Sequence, residues 1–184
     1  MPVFTTGEIA ACSKTSLSNT VQRLNYLARQ GFVIKIYKGI WAEAGQEKLN
    51  PYIVIPYLFS RSRVYVSFIS ALHLYGFIEQ IPQVITLASI SHSKKISTAI
   101  ATYIIHQITP DFFCGFDWYK GTGDFLIAEQ EKALVDSLYL SARKKKQYRF
   151  FPEISFPGNF NVQKAFRWAR KIKNIHIRIH VISR

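Results

Sequence analysis

Between Ser13 and Gly31, the apolar residues Leu17, Val21, Leu24 and Ala28 recur at steps of four, three and four, which is the spacing of one helical face. The opposite face carries Thr15, Asn19, Gln22 and Tyr26, with Arg23 beside them, where an ordinary solvated helix would carry Glu and Lys. Gly31 stands where a left-handed C-terminal cap is needed. Upstream, VFT reads as a short extended piece. Thr6 is placed to cap a helix through Ala11, with Glu8 in the first turn, where the helix dipole favours a negative charge. Downstream, FVIKIYKGIWA reads as two short strands joined by a turn at Lys38 and Gly39, with the facing of Val33 against Ile34 open by one register.

A polar Gly/Asn/Pro stretch, EAGQEKLNP at 43–51, then separates two aromatic-rich regions and divides the chain into domains at 1–45 and 51–184. In the second region Ser67 is positioned to cap FISALHLY, which Gly76 ends, and both VITLASI and TAIATYIIHQI read as strand. A KGTGD turn leads through FLIA into a helix from Glu129 to Leu140, with Ala133, Leu134, Leu138 and Tyr139 as its buried stripe. The tail predicts a helix over 162–173, with Asn161 as cap. Ala165, Trp168, Ala169 and Ile172 lie on one side of it, and Lys164, Arg167 and Lys171 on the other. IHIRIHVI alternates, as a strand does. The fold class expected is α+β: an N-terminal winged helix-turn-helix lacking its first helix, followed by a mixed α+β C-terminal domain with a basic tail.

Charge adds a partner to this picture. The 184 residues include 24 Lys/Arg against 11 Asp/Glu, a net charge of +13, which favours a polyanion by attraction and counterion release. The excess is concentrated from Arg143 to Arg184, with twelve basic residues and a single acidic one. No apolar run reaches the roughly 18 residues of a spanning helix, and MPVFTTGE lacks the features of a signal peptide, so a cytoplasmic protein without a membrane partner is expected. Cys12 and Cys114 have no zinc-ligand spacing and read as reduced thiols.

In a helix-turn-helix, the second helix enters the major groove, where Asn and Gln pair with adenine and Arg with guanine. Asn19, Gln22 and Arg23 are therefore candidate base readers. Thr15 and Ser16 allow close approach, Lys14 lies nearer the backbone, and Lys35, Tyr37 and Lys38 are placed at or near the hairpin tip to touch phosphate or minor groove. Arg143, Lys144, Lys145, Lys146, Lys164, Arg167 and Lys171 form a secondary basic surface, read either as added DNA contact, as a face for an acidic protein, or as solvated charge.

Enzyme readings are weak, because GxxxxGK[ST], HExxH and GxSxG are all absent. Asp124 followed by Gln130 and Lys132 loosely resembles the carboxylate and lysine set of metal-dependent nucleases, but Gln130 is a poor metal ligand. His176 and His180 merely share a face if their segment is a strand, and His73, His92 and His106 read as packing or surface residues. No cofactor and no metal site are expected.

Three stretches in succession, VFTTGEIAACSKTSLSNTVQRLNYLARQGFVIKIYKGIWA, YVSFISALHLYGFIEQIPQVITLAS and GDFLIAEQEKALVDSLYL, resemble the AbiEi antitoxins of type IV toxin-antitoxin systems, transcriptional regulators of viral defence. The similarity spans about residues 3–142 and extends more loosely through FNVQKAFRWARKI. It implies a winged helix that binds operator repeats in double-stranded DNA and represses its own operon, as a monomer or weak dimer. It also implies a C-terminal domain that counters a nucleotidyltransferase-like toxin without requiring a stable complex. Carried over by position, the DNA contacts fall on Thr15, Ser16, Asn19, Gln22, Arg23, Lys35 and Lys38. The EKALVD segment matches a family motif, yet Glu131 and Asp136 receive no chemical role. Two departures stand out: the helix that usually precedes the VFT strand is missing, which should leave part of the core uncovered, and the resemblance implies a helical end where the alternation reads as strand. The alternatives in other classes are an interaction module derived from such a regulator and a metal-dependent nuclease.

Overall fold

The computed structural model describes residues 3–45, 49–121, 125–143 and 153–183. Among these the chain is mixed α+β, with seven α-helices and two sheets, and it divides into two compact units. The first runs through Arg61 and takes in residues 97–102, so it extends past the polar stretch at 43–51.

In the first unit, β1 (Val3–Thr5), α1 (Thr6–Ser13), α2 (Leu17–Arg29), β2 (Val33–Tyr37) and β3 (Ile40–Glu43) form a helix pair with an antiparallel sheet of order β1-β3-β2. The cap of α1 is Thr5, not the expected Thr6. The Thr5 hydroxyl accepts from the Glu8 N–H (3.2 Å), while the Glu8 carboxylate accepts from the Thr5 N–H (2.6 Å), a reciprocal capping box. Thr6 is instead buried, accepting from Trp41 Nε1 at 2.9 Å and so tying α1 to β3.

The expected inward stripe of α2 needs correction. Leu24 is buried and Ala28 half-buried, but Leu17 is 60% and Val21 37% exposed, and the inward position between them belongs to Thr20. Its hydroxyl donates to the Ser16 carbonyl (2.9 Å) and meets the Thr15 hydroxyl (2.8 Å), which in turn meets Ser13 Oγ (2.8 Å). This hydroxyl chain closes the α1–α2 turn and sets the rotation of α2, which apolar spacing alone does not reveal.

The hairpin turns on Lys38 and Gly39, with Gly39 at φ 73°, the left-handed conformation glycine adopts without steric cost. A bulge between Lys35 and Tyr37 breaks the alternation. Ile36 and Tyr37 consequently both pack with Val3, Ile40, Ala42 and Val54, while Ile34 is exposed. The unit continues into the short α3 (Ile55–Leu58), and the Ala99 N–H donates to the Ile36 carbonyl at 3.1 Å.

The second unit is built on β4 (Tyr65–Val66), α4 (Phe68–Leu74), β5 (Ile85–Ser89), β6 (Lys94–Ser97), β7 (Thr102–Gln107), β8 (Phe116–Trp118), β9 (Leu126–Ala128), α5 (Gln130–Ala142), α6 (Val162–Arg170) and α7 (Ile175–Ile182). Its mixed sheet has the order β6-β7-β5-β4-β9-β8. Pairs β5/β7 and β4/β9 are parallel, and β4/β5 and β8/β9 antiparallel. The segment IHIRIHVI is α7, a helix and not the expected strand. Asn174 caps it by accepting from the Ile177 N–H (3.2 Å), and packing against α5 and α6 overrides the β-propensity of its isoleucines. The alternation leaves its mark: Ile175 and Ile179 are exposed.

From Glu131 to Ser137 every residue of α5 is buried. Lys132 and Asp136, four apart and both with 0% side-chain exposure, form an ion pair. Asp136 also accepts from Ser67 Oγ (2.7 Å) and the Tyr65 hydroxyl (3.1 Å), and the Lys132 ammonium lies 3.7 Å from the centre of the Phe112 ring. Burial pushes the Asp136 carboxyl up from its ordinary value, while Lys132 and the two hydroxyls pull against that rise. Burial, together with the neighbouring carboxylate, likewise raises the Tyr65 phenol well above its usual value.

Because Ser67 gives its hydroxyl to Asp136, it occupies the cap position of α4 without capping. The Ser70 N–H is met instead by Thr86 Oγ1 (3.1 Å) from β5. The residue after Ser67, Phe68, is fully buried at φ 58°, a strained conformation for a bulky side chain. At the other end, α6 docks through Trp168, whose Nε1 donates to Glu129 Oε2 (3.1 Å) and whose ring lies where a Cβ on Gly115 would meet it at 2.7 Å.

Removing one partner of a buried ion pair strands the other. Asp136→Ala should therefore cost about 3–5 kcal/mol, whereas Lys132→Met with Asp136→Leu should recover most of that loss, as read from urea unfolding. A second test concerns acid. Burial works against the Glu131 carboxylate, but its hydrogen bonds to backbone and Gln130 and the nearby Lys164 ammonium outweigh that and hold it below its ordinary value. Its stabilising contribution is present above the unfolded-state value and lost as pH falls through the folded one. Glu131→Gln should flatten the decline in melting temperature between about pH 5 and about pH 3.

Candidate nucleic-acid interface

The outward side of α2 is decided by what its inward side uses. With Thr20, Leu24 and Ala28 turned in, Asn19, Gln22 and Arg23 are all exposed, as is Tyr26. No acidic residue occurs on α2. Arg29, seven residues after Gln22 and therefore on the same face, is exposed as well. Sequence reasoning missed Arg29, although that seven-residue spacing was available to find it.

Thr15 and Ser16 hold different positions from the other candidates. Ser16 is the N-cap of α2, accepting from the Asn19 N–H at 3.2 Å, and Thr15 is half-buried in the hydroxyl chain of the turn. Both shape the helix start. Lys14 is exposed and ends α1 in a left-handed conformation (φ 51°), with its N–H directed at the Ala10 and Ala11 carbonyls. This places a cation at the turn that leads into α2.

On the hairpin, Lys38 is exposed at the two-residue tip. Lys35 is exposed on the strand opposite Trp41, with its ammonium 5.3 Å from that ring's centre. Tyr37 is partly buried against the core. Of the three hairpin candidates, Lys38 is the tip cation, Lys35 a strand cation shared with an aromatic face, and Tyr37 a packing residue.

The secondary basic positions are dispersed. Lys164 lies 3.1 Å from Glu129 and 3.5 Å from Glu131, and these carboxylates hold its ammonium pKa up despite the opposing effect of burial. Its charge therefore serves to dock α6. Lys171 lies over Trp168 (4.3 Å) and Arg143 over Tyr139 (5.5 Å), and Arg167 is exposed. Lys144, Lys145 and Lys146 lie outside the described residues.

The nuclease constellation is not assembled among the described residues. Lys132 is buried and ion-paired with Asp136, Gln130 Nε2 donates to Glu131 Oε1 (3.1 Å) and to the Asn159 carbonyl (3.1 Å), and Asp124 lies outside the described set. His176 and His180 fall on a helix, four apart, with His176 exposed and His180 half-buried. His106 is buried edge-on to Phe68, His73 is half-buried and His92 is exposed. Among the described residues no three His, Cys, Asp or Glu side chains are grouped to hold a metal ion, and no helix is long and apolar enough to cross a membrane. Cys12 and Cys114 are free thiols.

No family model matches the chain, and no curated protein matches it.

Proposed function

We propose that the first unit is a winged helix-turn-helix that binds double-stranded DNA sequence-specifically, with α2 as the groove helix and the β2–β3 hairpin as the wing. The observation that carries this reading is the outward face of α2. Asn19, Gln22, Arg23 and Arg29 are exposed on a helix without a single carboxylate, and Lys14 and Lys38 are exposed on the turn before it and the hairpin after it. Amides and guanidinium forks match base edges, while lone ammonium groups match phosphate. An ordinary solvated helix has no reason to exclude acids, but a helix facing a polyanion does.

On this reading the protein is a transcriptional repressor that acts at operator repeats. The resemblance of its three stretches to AbiEi antitoxins supports the further role of countering a nucleotidyltransferase-like toxin. Co-expression with a toxin gene of that class from the same operon should restore growth, and a chain that gives no protection would end the antitoxin part of the proposal while leaving DNA binding intact.

DNA from upstream of the protein's own coding sequence, titrated at several salt concentrations, should bind with log K falling linearly in log salt, by about 0.9 for each phosphate neutralised. A flat response would overturn the reading. Asn19→Ala should relax preference at one base position at a cost of about 1–3 kcal/mol, whereas Lys38→Ala should weaken all sequences alike and make the salt slope shallower by about one. Competition with point-mutated operators separates the two effects.

A further inference from the structure

The face of α2 turned away from Thr20 and Leu24 is divided by charge. At about 100° per residue, Gln22 lies directly opposite that buried pair, and Ser18, Asn19 and Tyr26 lie within about 60° of Gln22. All four are exposed, Tyr26 at 61%, and none is charged. The guanidiniums stand elsewhere: Arg23 is about 100° round the helix from Gln22, and Arg29 closes the last turn. Among the described residues no hydrogen bond engages the side chains of Asn19, Gln22 or Tyr26, so their polar groups are free for a ligand.

This division selects the bases that the helix can meet. In the major groove guanine presents two acceptors, which a guanidinium matches, whereas adenine presents an acceptor beside a donor, which an amide matches with its own donor and acceptor. The middle of the face offers two amides and no guanidinium. It also offers the ring edge of Tyr26, an apolar surface suited to the C5 methyl of thymine. Asn19, Gln22 and Tyr26 have the i, i+3, i+7 spacing of side chains that read bases from a helix in the groove. They extend over about 10 Å of helix, or roughly three base-pair steps. Arg23 at the side and Arg29 at the end are placed for the sugar-phosphate walls.

We infer that α2 reads a half-site centred on A·T pairs, with Asn19 and Gln22 pairing to adenines and the Tyr26 ring set against a thymine methyl, which makes Tyr26 a specificity-determining residue. This assignment rests on the DNA-binding reading of the first unit and adds to it the class of sequence that is bound.

The test is selection of duplexes from a random pool by the full chain, followed by titration of the selected duplex and its modified copies at one salt concentration. Successive A·T pairs are expected at the centre of the recovered half-site. Replacing a central adenine by 7-deazaadenine removes only the N7 acceptor in the major groove and should weaken binding by about fivefold, the value of one hydrogen bond. At the pair that each amide reads, Asn19→Ala or Gln22→Ala should erase that difference. Replacing the contacted thymine by uracil removes a single methyl and should weaken binding by about fourfold. Tyr26→Phe should keep the fourfold difference and Tyr26→Ala should abolish it, with thermal melting to show that substitution at this exposed position leaves the fold intact. A G·C-centred half-site, indifference to 7-deazaadenine, indifference to uracil at every thymine, or a uracil effect that survives in Tyr26→Ala would overturn the assignment while leaving DNA binding in place. So would retention of duplexes that share no sequence. A chain that retains no duplex at all would end the DNA-binding reading, and this assignment with it.

Discussion

A carboxylate without access to water must be met by donors on its oxygens, and Asp136 is met by three, from Lys132, Ser67 and Tyr65. These donors come from α5, from the residue before α4 and from β4, so a single side chain joins a helix, a connection and a central strand. Other features of the second unit follow from this arrangement. Ser67 is held extended, Phe68 must then enter α4 through a left-handed conformation, and the vacant cap passes to Thr86 on β5. Strain of this kind costs about 1–3 kcal/mol and persists only where surrounding contacts over-determine it. Here the Asp136 contacts on one side and full burial of the Phe68 ring on the other supply that constraint.

The first unit relies on neutral contacts of similar economy. The Trp41 indole reaches the Thr6 hydroxyl, and a chain of hydroxyls runs from Ser13 through Thr15 to Thr20. Together they fix α1 against the sheet and α2 against α1 without charge. Positive charge is thereby left for the outside of the unit, where Lys14, Arg23, Arg29, Lys35 and Lys38 are all exposed. Of the two acids described in this unit, Glu8 is tied into the cap of α1 and Glu43 lies at the far end of β3 from the hairpin tip.

Local signals made much of this arrangement legible. Periodicity located α2, α5 and α6, the β-rich runs located β5 and β7, and Gly39 located the hairpin turn. Asn161 is legible as a cap because its partner, the Lys164 N–H, is three residues away. Features set by distant residues were not legible. Thr5 and Thr6 are equivalent as local caps, and Trp41 decides between them by engaging Thr6. Leu17 and Val21 fit the apolar stripe of α2, yet the Thr15–Thr20 contact turns them outward. Ile and His alternate in α7 as they would in a strand, and the Asn174 cap together with packing on α5 and α6 makes the segment helical. In the candidate interface, exposure sorted the residues further: Asn19, Gln22, Arg23 and Lys38 are free to meet a ligand, whereas Tyr37 is held in the core and Lys164 is spent on two carboxylates. The ion pair in α5 escaped attention because an i, i+4 lysine and aspartate ordinarily lie on a solvated surface.

The borrowed cap of α4 bears on how this part of the molecule assembles. A helix of seven residues is too short to nucleate alone, and its first turn is completed by a side chain sixteen positions further along. Helix and strand therefore form as one cooperative unit. Whatever loosens β5 uncaps α4 at the same moment, so the amide protons of both exchange with solvent through a shared opening.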